Sequence, residues 1–166
     1  MKLLDCTLRD GSYYTNWSFD DDFVKRFVKS LNNAGIDIIE MGYKSPLKGG
    51  KYRKCNDSFI RDIVNDCDTD LAFMIDAKDF INGKVDVKLL KDIVKPSHES
   101  PFTYCRLAIT PQQIGEALIM IDLLDRLGYK VIVNVMRVSL LTDLEIRKLC
   151  NSLSKTKIVS LYFADS

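Results

Sequence analysis

Charge of one sign is missing from this sequence. Its 24 lysines and arginines meet 23 aspartates and glutamates, leaving a net charge of +1. That balance removes the electrostatic footprint of a chain built to bind nucleic acid or an anionic membrane. Long hydrophobic runs are missing as well, since no apolar stretch approaches the roughly 20 residues of a membrane span. The opening Met1-Lys2-Leu3-Leu4-Asp5 turns polar too early to read as a signal peptide. None of the five cysteines (Cys6, Cys55, Cys67, Cys105, Cys150) forms a CxxC, which disfavours a zinc module or a disulfide scaffold. Reduced thiols in a cytoplasmic protein are the expectation. Nucleotide signatures are lacking too: Gly49-Gly50-Lys51 does not have the GxxxxGK[ST] spacing, and no GxGxxG follows a strand candidate. Histidine is nearly absent, with His98 alone in a Pro-bracketed loop, where it reads as a solvated residue. With 46% apolar and 28% charged residues, what remains is one globular domain with a substantial core.

What is present is alternation. Six short apolar or β-branched runs read as strands over 2–6, 37–42, 71–76, 103–109, 130–136 and 157–164. Most are nearly continuous, as parallel strands covered on both faces should be. Helical spacing separates them. Phe23, Val24, Phe27, Val28 and Leu31 recur behind Asp20-Asp21-Asp22, acids that suit a helix N-terminus. A helix over 111–127 starts at Thr110-Pro111 and stops at Gly128, and Thr142 with Glu145 forms a capping box for Ile146, Leu149 and Leu153. Further helices are predicted near 57–66 and 86–94. Strand–helix alternation implies a parallel sheet with right-handed crossovers. Two architectures fit: an open flavodoxin-like sheet, or an incomplete (β/α)8 TIM barrel of about six strands and five intervening helices. A full barrel takes about 250 residues, so the second reading makes residues 1–166 the N-terminal portion of a barrel.

Polar residues interrupt these apolar runs at Glu40, Asp76, Arg106, Asn134 and Asp165, and Arg9-Asp10 follow the first strand. A buried charge is costly unless it is paired or binds a metal. Polar groups at successive strand ends therefore suggest a site at one mouth of the sheet. Asp10 offers a carboxylate for a hard cation, and Arg9 a guanidinium for a carboxylate or a developing oxyanion. The segment 44–54 holds five basic residues and no acid; with Lys51 it reads as a Gly-hinged lid that receives a substrate anion, or as a solvated loop. Cys6 and Cys105 read as small core residues.

The stretch Asp5-Cys6-Thr7-Leu8-Arg9-Asp10-Gly11 resembles the Asp-x-Thr-Leu-Arg-Asp-Gly signature of the DRE-TIM metallolyases, the superfamily of HMG-CoA lyase-like and 4-hydroxy-2-oxovalerate aldolase-like enzymes. The resemblance continues in order through Ile39-Glu40-Met41-Gly42, Arg106-Leu107-Ala108, Asn134-Val135-Met136 and Ala164-Asp165-Ser166. It implies a TIM barrel that binds Mg²⁺, Mn²⁺ or Zn²⁺ and makes or breaks a carbon–carbon bond through a metal-bound enolate of a 2-oxoacid such as pyruvate. By position, Asp10 would be a metal ligand and Arg9 the group facing the enolate oxygen. Arg106 would join them as a catalytic residue. Glu40 and Asp5 would orient Arg9 or metal-bound water, and Asn134, Asp165 and Lys51 would border the substrate.

This sequence departs from the pattern in two places. Where the aldolase branch has an acid/base histidine stands Tyr13, a phenol that makes a poor base at neutral pH but a passable proton donor. The His-x-His that supplies two further metal ligands on the family's seventh strand has no counterpart here. As written, the chain is expected to hold metal weakly and to be a truncated catalytic region with little activity of its own. The alternative is a non-catalytic α/β ligand-binding or interaction module derived from such an enzyme. An unclosed barrel would expose its first and last strands as edges, so a homo-oligomer is expected.

Overall fold

The protein is described by a computed structural model that covers residues 2–64 and 67–165. Met1, Asn65, Asp66 and Ser166 lie outside the described residues, and with them the end of the helix expected over 57–66 and the last residue of the Ala-Asp-Ser ending. Six strands form one sheet: β1 (Leu4–Asp5), β2 (Ile38–Tyr43), β3 (Asp70–Asp76), β4 (Tyr104–Ile109), β5 (Lys130–Val135) and β6 (Ser160–Phe163). They pair in sequence order and in parallel throughout. That order excludes the flavodoxin-like sheet, whose first strand lies inside. The sheet curls into part of a TIM barrel. Ile38, Ala72, Tyr104 and Ile132, with Leu4, fill the inside of the curve. The alternate residues, among them Ile39, Phe73, Leu107 and Val133, pack outward against the helices in the main core.

Among the described residues seven helices lie between the strands: α1 (Thr7–Gly11), α2 (Asp21–Asn33), α3 (Lys51–Lys54), α4 (Asp57–Ile63), α5 (Val87–Ile93), α6 (Ile114–Arg126) and α7 (Asp143–Leu153). The punctuation read from the sequence explains their starts. Asp20 accepts from the Phe23 N–H at 2.8 Å, satisfying one of the orphan donors at the start of α2. Thr142 accepts from the Glu145 N–H at 3.4 Å while Glu145 accepts from the Thr142 N–H at 2.8 Å, a closed capping box. Ahead of α6, residues Pro111–Gln113 wind as a tighter 3₁₀ turn.

Two short helices, α1 and α3, depart from expectation. The first coils because Asp5 accepts from both the Thr7 N–H and hydroxyl at 3.0 Å, so the chain bends into a helical turn directly after β1. The second replaces the Gly-hinged lid. Tyr52 of α3 is fully buried and its N–H donates to the Trp17 carbonyl at 3.2 Å. A side chain at Gly50 would lie 2.2 Å from that same carbonyl oxygen. Lys44, expected in the exposed basic loop, is buried between Phe73 and Phe102 and bonded to Asp57. An aromatic anchor and a paired lysine thus tie the segment down, where charge alone suggested a free loop.

Burial within this core pushes the thiols of Cys55 and Cys105 well above their ordinary value of about 9. Their folded forms stay protonated where the unfolded chain ionises, so the stability they carry is full below about pH 9 and is lost as pH rises beyond it. We expect the unfolding free energy from urea titrations to fall as pH rises past about 9, with a slope that approaches about 1.4 kcal/mol per pH unit for each thiol once the unfolded thiols are ionised. A Cys55→Ala, Cys105→Ala protein should lose most of that slope, and an unchanged slope would refute the assignment.

Candidate active site

A fully buried carboxylate organises the concave face. Glu40, on β2, accepts at Oε2 from Arg9 Nε and from Arg106 Nη1, each at 2.8 Å. Arg9 arrives from α1, and Arg106 from the middle of β4, where every residue is buried. Across the curve the Arg106 guanidinium lies 5.4 Å from the ring centroid of Tyr162 on β6. Burial disfavours the charge on Arg9, but Glu40 more than offsets it, so the guanidinium is held more firmly protonated than an ordinary arginine. Glu40 Oε1 and Arg106 Nε are buried without a hydrogen-bond partner among the described residues. Such orphans are rare in native structures and point to a ligand or ordered water.

At the rim, Asp10 is ion-paired with Arg9 and accepts from the Cys6 thiol at 3.3 Å; its side chain is 57% exposed. Cys6 is therefore not the core filler its apolar surroundings suggested. Its thiol sits beside Asp10 and is pushed up by burial and by that bond. Tyr13, largely exposed, shares a 3.0 Å hydroxyl–hydroxyl hydrogen bond with Tyr43. Trp17 stands edge-on to both rings, at 4.9 and 5.2 Å.

The structure brings together Arg9, Asp10, Glu40 and Arg106, with Tyr13 alongside. Other expected site residues go elsewhere. Asp5 caps the start of α1 through Thr7. Asp165 accepts from the Ser139 N–H at 3.3 Å and holds the turn Val138–Leu140. Lys51 pairs with Asp21 at 2.6 Å and lies over the Phe59 ring, both in the helix layer. Asn134 is half-buried on the concave face, in register with Ala108 and Tyr162. His98 is 78% exposed in the turn before β4, at the opposite end from the site.

Tyr43 is the site residue that a sequence reading misses. Three residues beyond Glu40, it should face away from it on a regular strand. The pairing with β3 shifts register between Glu40 and Gly42, so Glu40 lies beside Ala72 and Tyr43 beside Met74, both on the concave face. Gly42 allows this, because a Cβ there would meet the Tyr52 carbonyl oxygen at 2.1 Å. An isolated glycine inside a strand is the available signal.

Among the described residues no three His, Cys, Asp or Glu side chains converge as metal ligands. Asp10 alone, already committed to a guanidinium, does not make a divalent-ion site. What these residues do form is a charge-balanced cluster that holds the Arg9 guanidinium at the mouth, where it can meet an oxyanion.

No family model matches the chain. The oxaloacetate decarboxylase of Mycobacterium tuberculosis is 51% identical over 41 residues, which are 25% of this chain and 12% of that protein. 4-Hydroxy-2-oxovalerate aldolase 6 of Rhodococcus jostii is 33% identical over 52 residues, 31% of this chain and 15% of that one. The solved N-terminal domain of an aldolase-like protein from Bacteroides vulgatus superposes over 98% of this chain with a TM-score of 0.77 and 27% identity. These similarities agree with the DRE-TIM metallolyase resemblance of the Asp5–Gly11 motif. The chain spans 63% of the Bacteroides vulgatus structure. The hydroxymethylglutaryl-CoA lyase of Pseudomonas aeruginosa, with a TM-score of 0.67 and 11% identity, has the same fold over 57% of its length. The Bacteroides vulgatus structure that this chain matches is itself an N-terminal domain.

Removing Glu40 would leave the buried Arg106 guanidinium without an anion and Arg9 with only the rim carboxylate of Asp10. We expect Glu40→Ala to lower unfolding free energy by about 3–5 kcal/mol, and pairing it with Arg106→Met to recover part of that loss. A single variant within about 1 kcal/mol of wild type in urea titrations would show that the cluster is not held as described.

Proposed function

We propose that this chain carries the oxyanion-binding side of a carbon–carbon lyase or aldolase site that works on the enolate of a 2-oxoacid such as pyruvate. The observation that carries this reading is the Arg9 guanidinium, fixed from behind by buried Glu40 and flanked by Asp10 at the mouth of a partial barrel. An arginine has five N–H donors in a rigid fork; here Nε serves Glu40 and Nη1 serves Asp10, and the others, with no partner among the described residues, can meet an incoming oxygen. As charge develops on a carbonyl oxygen during enolisation or bond cleavage, a preset guanidinium stabilises it without reorganising. Arg106 supplies a second buried positive charge, and Tyr13 a proton donor at the rim.

The divalent ion implied by the resemblance (Mg²⁺, Mn²⁺ or Zn²⁺) finds one carboxylate here, Asp10, and holding it calls for donors that these residues do not supply. Its chemistry would be Lewis-acid polarisation of the substrate oxygen. We read the chain as the N-terminal, truncated part of such a catalytic barrel, working in a reducing cytoplasm that suits its free cysteines. The lack of a three-donor cluster among the described residues favours a second reading, a 2-oxoacid-binding module without turnover.

Proton NMR of pyruvate in D₂O, with and without Mn²⁺, separates the two. Loss of the methyl signal with wild type, slowed about 10²–10³-fold by Arg9→Lys, supports the enolate reading. Arg9-dependent binding without exchange supports the module, and neither binding nor exchange overturns both. We also propose a homo-oligomer, because Tyr162 and Phe163 are exposed aromatic rings that a second copy would cover, and the balanced charge suits neither nucleic acid nor an anionic membrane as partner. Sedimentation should show association at micromolar concentration, and a monomer throughout would refute it.

A further inference from the structure

Tyr43 has no counterpart among the residues that the motif resemblance assigns, yet the fold takes trouble to aim it into the mouth. The register shift after Glu40 turns its ring onto the concave face, and Gly42 permits the shift only by lacking a side chain. There it touches the Tyr13 hydroxyl at 3.0 Å and the edge of Trp17, within electrostatic reach of the Arg9 guanidinium. Tyr13 itself is tethered by little else: its ring is mostly exposed and leans on Trp17.

We propose that Tyr43 is the positioning residue for Tyr13: its hydroxyl donates to the Tyr13 oxygen, holding that phenol at the mouth with its own hydrogen free for the substrate. This rests on the oxyanion reading of the site. Tyr43 is the strand-held, less exposed member of the pair. A hydrogen turned from Tyr43 onto the Tyr13 oxygen therefore leaves the Tyr13 hydrogen to face the mouth, and burial keeps Tyr43 a neutral phenol able to donate. In turnover the Tyr13 O–H bond would break as a C–H bond forms at the enolate carbon. The phenolate left on Tyr13 would be stabilised by the Tyr43 donation until solvent returns the proton. The substrate class follows from the same geometry: a small planar 2-oxoacid whose oxyanion lies on Arg9 and whose methylene carbon lies under Tyr13.

The test uses oxalate, a planar dianion resembling the pyruvate enolate, and the emission of Trp17, the single tryptophan of the chain. We expect Tyr43→Phe to weaken oxalate about fivefold, the worth of one neutral hydrogen bond. Tyr13→Phe should do the same, and the double variant should bind no more weakly than Tyr13→Phe alone. Tyr43→His, which keeps a donor, should recover part of the loss. Oxalate binding untouched by Tyr43→Phe, or losses that add in the double variant, would overturn the proposal. Should Tyr43→Phe not fold, the Tyr43 Cζ carbon resonance in Tyr13→Phe gives the answer: a shift is expected on loss of its acceptor, and an unmoved signal overturns the pairing. Arg9→Lys keeps the two readings apart. Binding that needs Arg9 but ignores Tyr43 sinks only the positioning role, whereas binding that is absent, or indifferent to Arg9, sinks the oxyanion site and this inference with it.

Discussion

One carboxylate with no access to water holds the working face of this protein together. Glu40 draws Arg9 from α1 and Arg106 from β4 onto a single oxygen, across strands that are neighbours only because the sheet curls. A buried ion pair of this kind is weak evidence for stability, since dehydrating the charges offsets much of their attraction. It is better understood as a device of position. With Glu40 fixed on its strand, Arg9 cannot swing into solvent, and the charge that meets an incoming oxygen is set before it arrives. Asp10 then balances the rim, leaving two positive and two negative groups in one small volume.

Much of the fold was legible in the sequence because its signals are local. Continuous apolar runs marked strands covered on both faces, and the Asp20 and Thr142 caps marked helix starts within a residue of where they occur. The site was legible in part. Glu40 and Arg106 stood out as charges inside buried runs, where only pairing makes them tolerable. Asp5 and Asp165 carried the same signal and proved to be turn caps, since a polar residue at a strand end satisfies either role until its neighbours are known. Lys51 and Lys44 were misjudged because a run of basic residues looks solvated when the acids and rings that hold it, Asp21, Asp57, Phe73 and Phe102, lie far along the chain. Tyr43 escaped because strand parity is a rule of two, and one irregularity breaks it.

The contrast between the two charged halves of the site is informative about chemistry. Its cationic half is finished: buried, paired and geometrically fixed. Its anionic half is Glu40, engaged by both arginines, and Asp10, exposed and paired with Arg9. Oxyanion recognition can be built from this face alone, whereas a firmly held divalent ion needs several oxygen or nitrogen donors at once. The Tyr13–Trp17–Tyr43 aromatics stand where a small acid would be shielded from water, adding an apolar wall to a charged floor.

The junction of Gly50 with the Trp17 carbonyl fastens α3 to the turn that follows α1. The rims above the first and second strands are therefore one unit, unable to part and close like a flap. Within this chain, the turn Val138–Leu140, where Leu140 stands out from the surface, is the part of the mouth left to move over a bound acid.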